Sequence, residues 1–213
     1  MKRSIKHTLI LAGLAMTLAP TPFALGATSA EQAALVKAKI QSLREECAQT
    51  RNQITITIES LTRLQAPGVE LRPQFDKYKA ELTKMVAQAK SATDRASTMK
   101  EKGEAFFTEL EDQVKAIQNE DIRKEALNRL AKRKKSYEKI LTAMQEAKEQ
   151  LVPFMSDLND TKILLETELT AKSVSSSKSL IKKANWHGGD ANDSLVDVEK
   201  ELDRMTAELA TYQ

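Results

Sequence analysis

The feature that most constrains this chain is a heptad pattern that continues without a break through the middle of the sequence. Apolar or small residues recur in alternating steps of three and four, over about six heptads. They are Phe75, Tyr78, Leu82, Met85, Ala89, Ala92, Ala96, Met99, Gly103, Phe106, Leu110, Gln113 and Ile117. This period is typical of a coiled-coil helix, so we predict a helix over 73–118. Close packing of a partner helix would explain a glycine at position 103.

Three further helices are predicted from similar patterns between clusters of turn residues. The first covers about 29–65, where the β-branched run at 54–58 alternates like a strand but the heptad holds on both sides. The second, over 120–184, begins after Asn119 and should kink at Pro153. The low helix propensity of the serine-rich stretch 173–177 leaves open an earlier end of this helix. The last covers 193–211 and follows the turn expected around 185–193.

The helix over 120–184 carries two apolar edges, which indicates two packing partners. One edge contains lysines at several positions and is less regular than the helix before it. The neighbouring edge consists of Ile140, Ala147, Phe154 and Ile163. Since 4% of residues are aromatic and 30% charged, composition also favours long helices. We therefore predict an all-α fold: an elongated antiparallel bundle or coiled coil of three to four helices, forming a single domain over 29–213.

The N-terminus has the order of a cleavable secretory signal over residues 1–26. Lys2, Arg3 and Lys6 precede an apolar stretch from Thr8 to Ala19, and small residues follow. That stretch is about 12 residues long, short of the roughly 20 that a membrane-spanning helix needs. We expect a periplasmic or secreted bacterial protein, with a retained anchor as the alternative.

The net charge follows from this leader. The chain has 33 basic and 30 acidic side chains, a net charge of +3. The leader contains three of the basic residues and no acidic one, so the remainder is close to neutral. A protein that binds nucleic acid needs surplus cations to neutralise phosphates. The sequence therefore predicts no nucleic-acid partner.

Part of the sequence resembles a bacterial family known as domain of unknown function 2959. The matching features are Phe107-Thr108-Glu109-Leu110-Glu111 through Asn119, then Ile122-Arg123, Leu130, Arg133, Tyr137, Ala143-Met144, Ala147, Pro153, Leu158 and Leu165 through Ala171. The resemblance covers about 75 to 211, and the stretch 164–171 departs from the family's pattern. It implies a helical envelope protein, with no activity and no functional residues to transfer.

The segment Asn185–Asp190 contains the only tryptophan, Trp186, and the only histidine outside the leader, His187. We interpret it either as a turn that closes the end of the bundle or as an exposed interaction tip, because aromatic residues anchor interfaces. One histidine gives little basis for a metal site or a catalytic triad. The sequence predicts no catalytic, cofactor-binding or metal-binding residues, no cofactor and no enzyme activity.

Two other patterns have simpler explanations than a binding site. Asp190, Asn192, Ser194 and Glu201 have the spacing of a calcium loop, but Leu195 occupies the position that requires glycine. Helix capping explains these polar residues better. Cys47 is the only cysteine, so it forms no disulfide within the chain. It is either a small buried residue or a thiol that pairs with another molecule.

Lys132, Arg133, Lys134 and Lys135 form the densest basic run. They are either a solvated helix flank or a contact for anionic headgroups or an acidic partner.

These observations leave two functional hypotheses. The first is a scaffold, spacer or adaptor that binds envelope proteins, or copies of itself, through helix faces. The alternative is a holdase-like or membrane-surface-binding protein. Exposure of Met85, Met99, Met144 and Met155 would favour the alternative, and their burial the first.

The predicted shape is directly testable by light scattering. A helix over 73–118 is about 65–70 Å long, so the hydrodynamic radius should exceed that of a globular protein of 23.7 kDa. A radius matching a compact sphere would contradict the elongated bundle.

Overall fold

The computed structural model describes residues 29–210, which are almost entirely helical and contain no strand. In chain order the elements are α1 (Ser29–Thr62), a 3-10 turn (Arg63–Gln65), α2 (Leu71–Lys115), α3 (Glu120–Thr167), α4 (Ala171–Ser176) and α5 (Lys178–Ala210). At the turn before α2, Gly68 has a φ of 71°, a left-handed conformation that suits glycine.

The four long helices form a closed ring. α1 and α3 each pack against both α2 and α5, and the α3–α5 interface is the most extensive. Polar contacts fix the direction of α1 and α5: Thr62, at the end of α1, donates to Asn185 near the start of α5 (3.3 Å). Arg51, further back in α1, contacts Glu199, further along α5 (2.9 Å). The predicted all-α antiparallel bundle is confirmed, with four long helices and one short one.

The two apolar edges of α3 are confirmed as its contacts with two neighbours. One edge packs against α2, where the buried Tyr78 hydroxyl donates to the Leu158 carbonyl (2.5 Å). On the other edge Ile140, Ala147 and Phe154 are buried. Ile163 was expected to continue that edge, but it is 53% exposed.

The predicted bounds of the last two helices are wrong. α3 ends at Thr167 rather than at 184, and α5 begins at Lys178 rather than at 193. The chain reverses between them, where Thr170 and Ser173 form a capping box at the start of α4. No proline or glycine marks this reversal in the sequence. The low helix propensity of residues 173–177 left an end of the helix open there, but α3 ends earlier, at Thr167.

The glycine pair Gly188-Gly189 was predicted to break the helix, yet α5 runs through it. Gly188 lies on the buried side of α5, against Ile58 of α1 and Phe154 of α3. A Cβ at this position would lie 2.9 Å from Cε2 of Phe154 and closer still to Cδ1 of Ile58. The missing side chain therefore permits close approach of three helices rather than a turn.

The heptad pattern of α2 shifts by one residue near its C-terminal end. Phe106 was expected on the packed side, but Phe107 is buried there, whereas Phe106 is 37% exposed. The ring of Phe107 packs against Tyr137 of α3, with centroids 5.2 Å apart. Two successive steps of four, from Met99 through Gly103 to Phe107, amount to a stutter that moves the packed side around the helix.

The β-branched run in α1 is helical, as predicted. Ile54 is buried in the core, and the hydroxyl of Thr57 donates to the carbonyl of Gln53 (2.7 Å). α3 also continues through Pro153. The kink predicted at that proline stays a prediction.

No helix within residues 29–210 combines the length and the apolar character that crossing a membrane would require.

The two neighbouring glycines of α5 should respond in opposite directions to substitution by alanine. Gly188→Ala inserts a methyl group into a filled space, and such overpacking costs typically ~1–3 kcal/mol. Gly189→Ala has open space around its Cβ, and the better helix propensity should stabilise the protein by up to about 1 kcal/mol. Urea unfolding followed by circular dichroism measures both. Equal stabilisation by the two alanines would contradict the close packing at Gly188.

Candidate functional site

The α2–α3 hairpin extends beyond the end of α5. Ser136 of α3 donates to Glu208 of α5 (2.7 Å), and α5 ends two residues later at Ala210. About four turns of α3 therefore precede the point where α5 begins to cover it. We call the part of the hairpin formed by residues 103–134 the hairpin end.

The hairpin end has its own small core. Phe107, Leu130 and Tyr137 form a buried cluster that is separate from the main core. The hydroxyl of Tyr137 donates to the carbonyl of Met99 (2.6 Å), and burial raises the pKa of Tyr137 to about 12. The tyrosine lies directly over Gly103, where a Cβ would collide with its ring. The predicted close packing at Gly103 is confirmed, and it fixes the two helices at a short separation.

A shallow groove runs between α2 and α3 at the hairpin end. Its lining combines apolar and charged residues: Leu110, Val114, Ile122, Ala126 and Leu130 with Glu125, Arg129 and Arg133. Ile122 is 57% exposed although it lies on this lining. The hairpin end therefore presents an apolar strip to solvent, with arginines beside it.

The groove lies where one heptad position of α3 changes from buried apolar residues to a small residue and a charged one. Under α5 that position holds Ile140 and Ala147, which are buried. One and two heptads earlier, beyond the end of α5, the same position holds Arg133 and Ala126. The edge that packs against α5 in the body of the bundle thus continues as the lining of the groove.

The basic run does not form one continuous patch. All four side chains are exposed, and because they are consecutive on a helix they point in different directions: Lys132, Arg133, Lys134 and Lys135. Arg133 lines the groove. Lys134 lies near Glu111 of α2, whose pKa is lowered first by its hydrogen bond to Lys115 and to a smaller extent by the charge of Lys134. An anionic contact through this run stays a prediction.

Trp186 and His187 do not lie at a tip, because the predicted turn is helix. Trp186 is 65% exposed on the outer face of α5, and its ring lies 4.9 Å from that of His187. His187 is mostly buried between α5 and α3, where its Nδ1 lies 2.6 Å from Oδ2 of Asp157. An interaction through Trp186 stays a prediction, now placed on a helix face.

The calcium-like spacing falls within the continuous helix α5. Asn192 accepts a hydrogen bond from Arg51 (3.1 Å), and Glu201 pairs with Arg204. The capping role expected for these residues is wrong, since α5 begins many residues earlier. Among residues 29–210 there is no group of three or more histidine, cysteine, aspartate or glutamate side chains that could hold a metal.

Cys47 is partly buried and packs against the main core. Burial, together with the nearby charges of Glu199 and Glu46, raises the pKa of its thiol to about 12. Such a thiol is protonated at neutral pH and reacts slowly, because the thiolate is the reactive form.

Glu46 was not singled out from the sequence. It is a nearly buried carboxylate between α1 and α2, where it accepts from Arg95 Nε (2.9 Å) and from Ser91 (3.4 Å). Desolvation raises its pKa, and the charge of Arg95 opposes that shift. Only the position of Glu46 beside the α1 heptad could have indicated this cross-helix contact.

Comparison with known proteins identifies a family but no function. A family model described as "Protein of unknown function (DUF2959)" matches residues 26–204. No curated protein and no solved structure matches the chain. The resemblance inferred from the sequence is confirmed, and the match also includes all of α1.

The state of Cys47 can be tested with a thiol reagent such as DTNB. At pH 8 we expect labelling of the folded protein to be at least about tenfold slower than labelling in urea, because burial both shields the thiol and keeps it protonated. Absorbance of the released thiolate measures both rates. Equal rates in the two states would contradict the buried position.

Proposed function

The chain belongs to the DUF2959 family of proteins of unknown function, and since that membership supplies no activity, we propose that it is an exported, non-catalytic helical protein that binds other proteins of the cell envelope through its helix faces. The open groove at the hairpin end is the observation that carries this proposal.

The groove supports protein binding because it is an unfinished helix-packing site. In the body of the bundle α5 covers the same edge of α3. At the hairpin end Ile122, Leu110 and Val114 line a space that a further helix could fill in the same way. Recognition of an amphipathic helix in an apolar groove is a common mode of peptide binding.

The groove's charge favours a partner with acidic side chains. Arg129 and Arg133 lie one turn apart on its lining, against a single acid, Glu125. Arg129 is engaged with Glu125 within the chain. Charged groups at the edge of an interface influence the choice and the orientation of the partner more than the affinity.

The methionines favour this proposal over a holdase. Met85 is fully buried, and Met99, Met144 and Met155 are partly buried against the cores. A surface that binds many clients commonly exposes flexible methionines, whereas these methionines fill space between helices.

The titratable groups also favour a structural role. The largest pKa shifts occur at Cys47, Tyr78 and Tyr137, and in each case the main cause is burial between helices. Catalytic groups are typically shifted by burial together with a specific charge partner in a cleft.

Export is proposed from the N-terminal pattern, since residues 1–26 lie outside the described part of the chain. The basic start and short apolar stretch predict cleavage and release into the periplasm or the medium. Mass spectrometry of the mature protein from fractionated cells would show whether the leader is removed.

Photo-crosslinking in the native cell tests the groove. We expect a photoreactive amino acid at Ile122 to give crosslinked adducts with envelope proteins. The same amino acid at Asn128, which is exposed on the same helix but does not line the groove, should give few. Mass spectrometry of the adducts identifies the partner.

Equal crosslinking at both positions, or none at Ile122, would contradict binding in the groove. If the protein were instead recovered on purified phospholipid vesicles without protein adducts, the membrane-surface alternative would replace the proposal.

A further inference from the structure

The outer face of α5 has its unpaired charges sorted by sign on either side of Trp186. Lys178, Lys182 and Lys183 precede the tryptophan, and Asp190 and Asp193 follow it. None of the five takes part in an ion pair or hydrogen bond in the part of the chain that the structure describes.

These charges lie too far apart to pair within one helix. Neighbouring side chains on a helix are three or four residues apart, whereas Lys183 and Asp190, the closest opposite pair, are separated by seven residues, or about 10 Å. Further along α5 the charges are interleaved and do pair, as in Lys200 with Asp197 (2.6 Å). The first half of α5 thus has a segregated pattern that its second half lacks.

We propose that this face of α5 is a dimer interface, at which a second copy of the chain packs its own α5 in the antiparallel direction around Trp186. This proposal rests on the proposed function, binding through helix faces, and names a second copy of the chain as one partner of the α5 face.

The register of the antiparallel pair follows from positions along the helix. With the two-fold axis at the level of Trp186, a residue that precedes Trp186 in one copy faces a residue that follows it in the other. Lys183 and Asp190 lie three and four residues from Trp186, so their axial offset is about 1.5 Å. Lys178 and Asp193 lie eight and seven residues away and match equally well.

The pair formed by Lys183 and Asp190 also lies on one edge of the face. Lys183 and Asp190 are each about one turn from His187, which contacts Asp157 of α3. They therefore share the α3 edge. Asn185 contacts Thr62 of α1, and Lys178 and Lys182 lie two turns and one turn before it, so both lysines are toward the α1 edge. Asp193 lies near the middle of the face. A two-fold axis across the helices keeps each edge against the same edge of the other copy.

A second copy explains this pattern better than a partner of one charge. A symmetric dimer interface must be complementary to itself, so the charged residues that face each other across it must include both signs. An anionic membrane would attract the three lysines but repel Asp190 and Asp193. Trp186 would lie at the centre of the interface, where aromatic residues contribute most to binding.

Two charge-reversed variants of the full chain test the interface by analytical ultracentrifugation. K178D/K183D makes the face entirely acidic apart from Lys182, and D190K/D193K makes it entirely basic. Each variant alone should raise the dimer dissociation constant at least about tenfold. Their mixture should form a heterodimer with an affinity within about threefold of the wild-type dimer.

K132D/K135D provides the matched control, because it reverses two exposed lysines on α3 outside the interface and should leave the dimer unchanged. Helical circular dichroism of every variant shows that it is folded. W186A should weaken the wild-type dimer, and the fluorescence of the single tryptophan should shift to shorter wavelength as the wild-type protein associates.

Two results would overturn the proposal: a wild-type chain that is monomeric at high micromolar concentration, or a mixture of the reversed variants that forms no heterodimer. A monomeric wild type that bound phosphatidylglycerol vesicles but not phosphatidylcholine vesicles would assign the lysines to a lipid surface instead. Neither result would affect crosslinking at Ile122, so failure of the dimer and failure of the proposed function are distinguishable.

Discussion

The structure depends on α3 being able to pack along two edges at once. One edge meets α2, and the other, which includes Ile140, Ala147 and Phe154, meets α5. Because the second edge is occupied, α5 also reaches α1, and the ring of four helices closes. If α3 had a single apolar edge, α5 would lose its most extensive helix interface, since burial of apolar surface is the main force that holds helices together in water.

The limits of that second edge set the surfaces available for function. Where Arg133 replaces an apolar residue, α5 has ended and the groove at the hairpin end begins. The outer face of α5 takes no part in the core, which leaves Trp186 free to contact another molecule. Both proposed contacts therefore use ordinary helix packing, one by extending the bundle at its end and one by pairing two bundles side by side.

Much of the fold could be predicted from local patterns. Heptads gave the positions of α1 and α2 to within a few residues, and they correctly outweighed the strand-like alternation near Ile54. The candidate site was less predictable. Nothing in the residues around Phe106 shows that Phe107 is the one that packs, because that choice depends on Tyr137 in another helix. Trp186 was recognised as unusual, but the turn predicted around it was wrong because the adjacent glycines lie within a helix.

The sequence by itself determined that this chain is helical, where its helices carry apolar edges, and that its residues 1–26 resemble an export signal. These properties depend on residue spacing and composition, which are local features of the chain. Only the tertiary structure decided where the chain reverses between α3 and α5 and why Gly188 lies inside a helix. It also showed which charges remain unpaired around Trp186. Those properties depend on which side chains from distant segments share the same space, and periodicity carries no information about that.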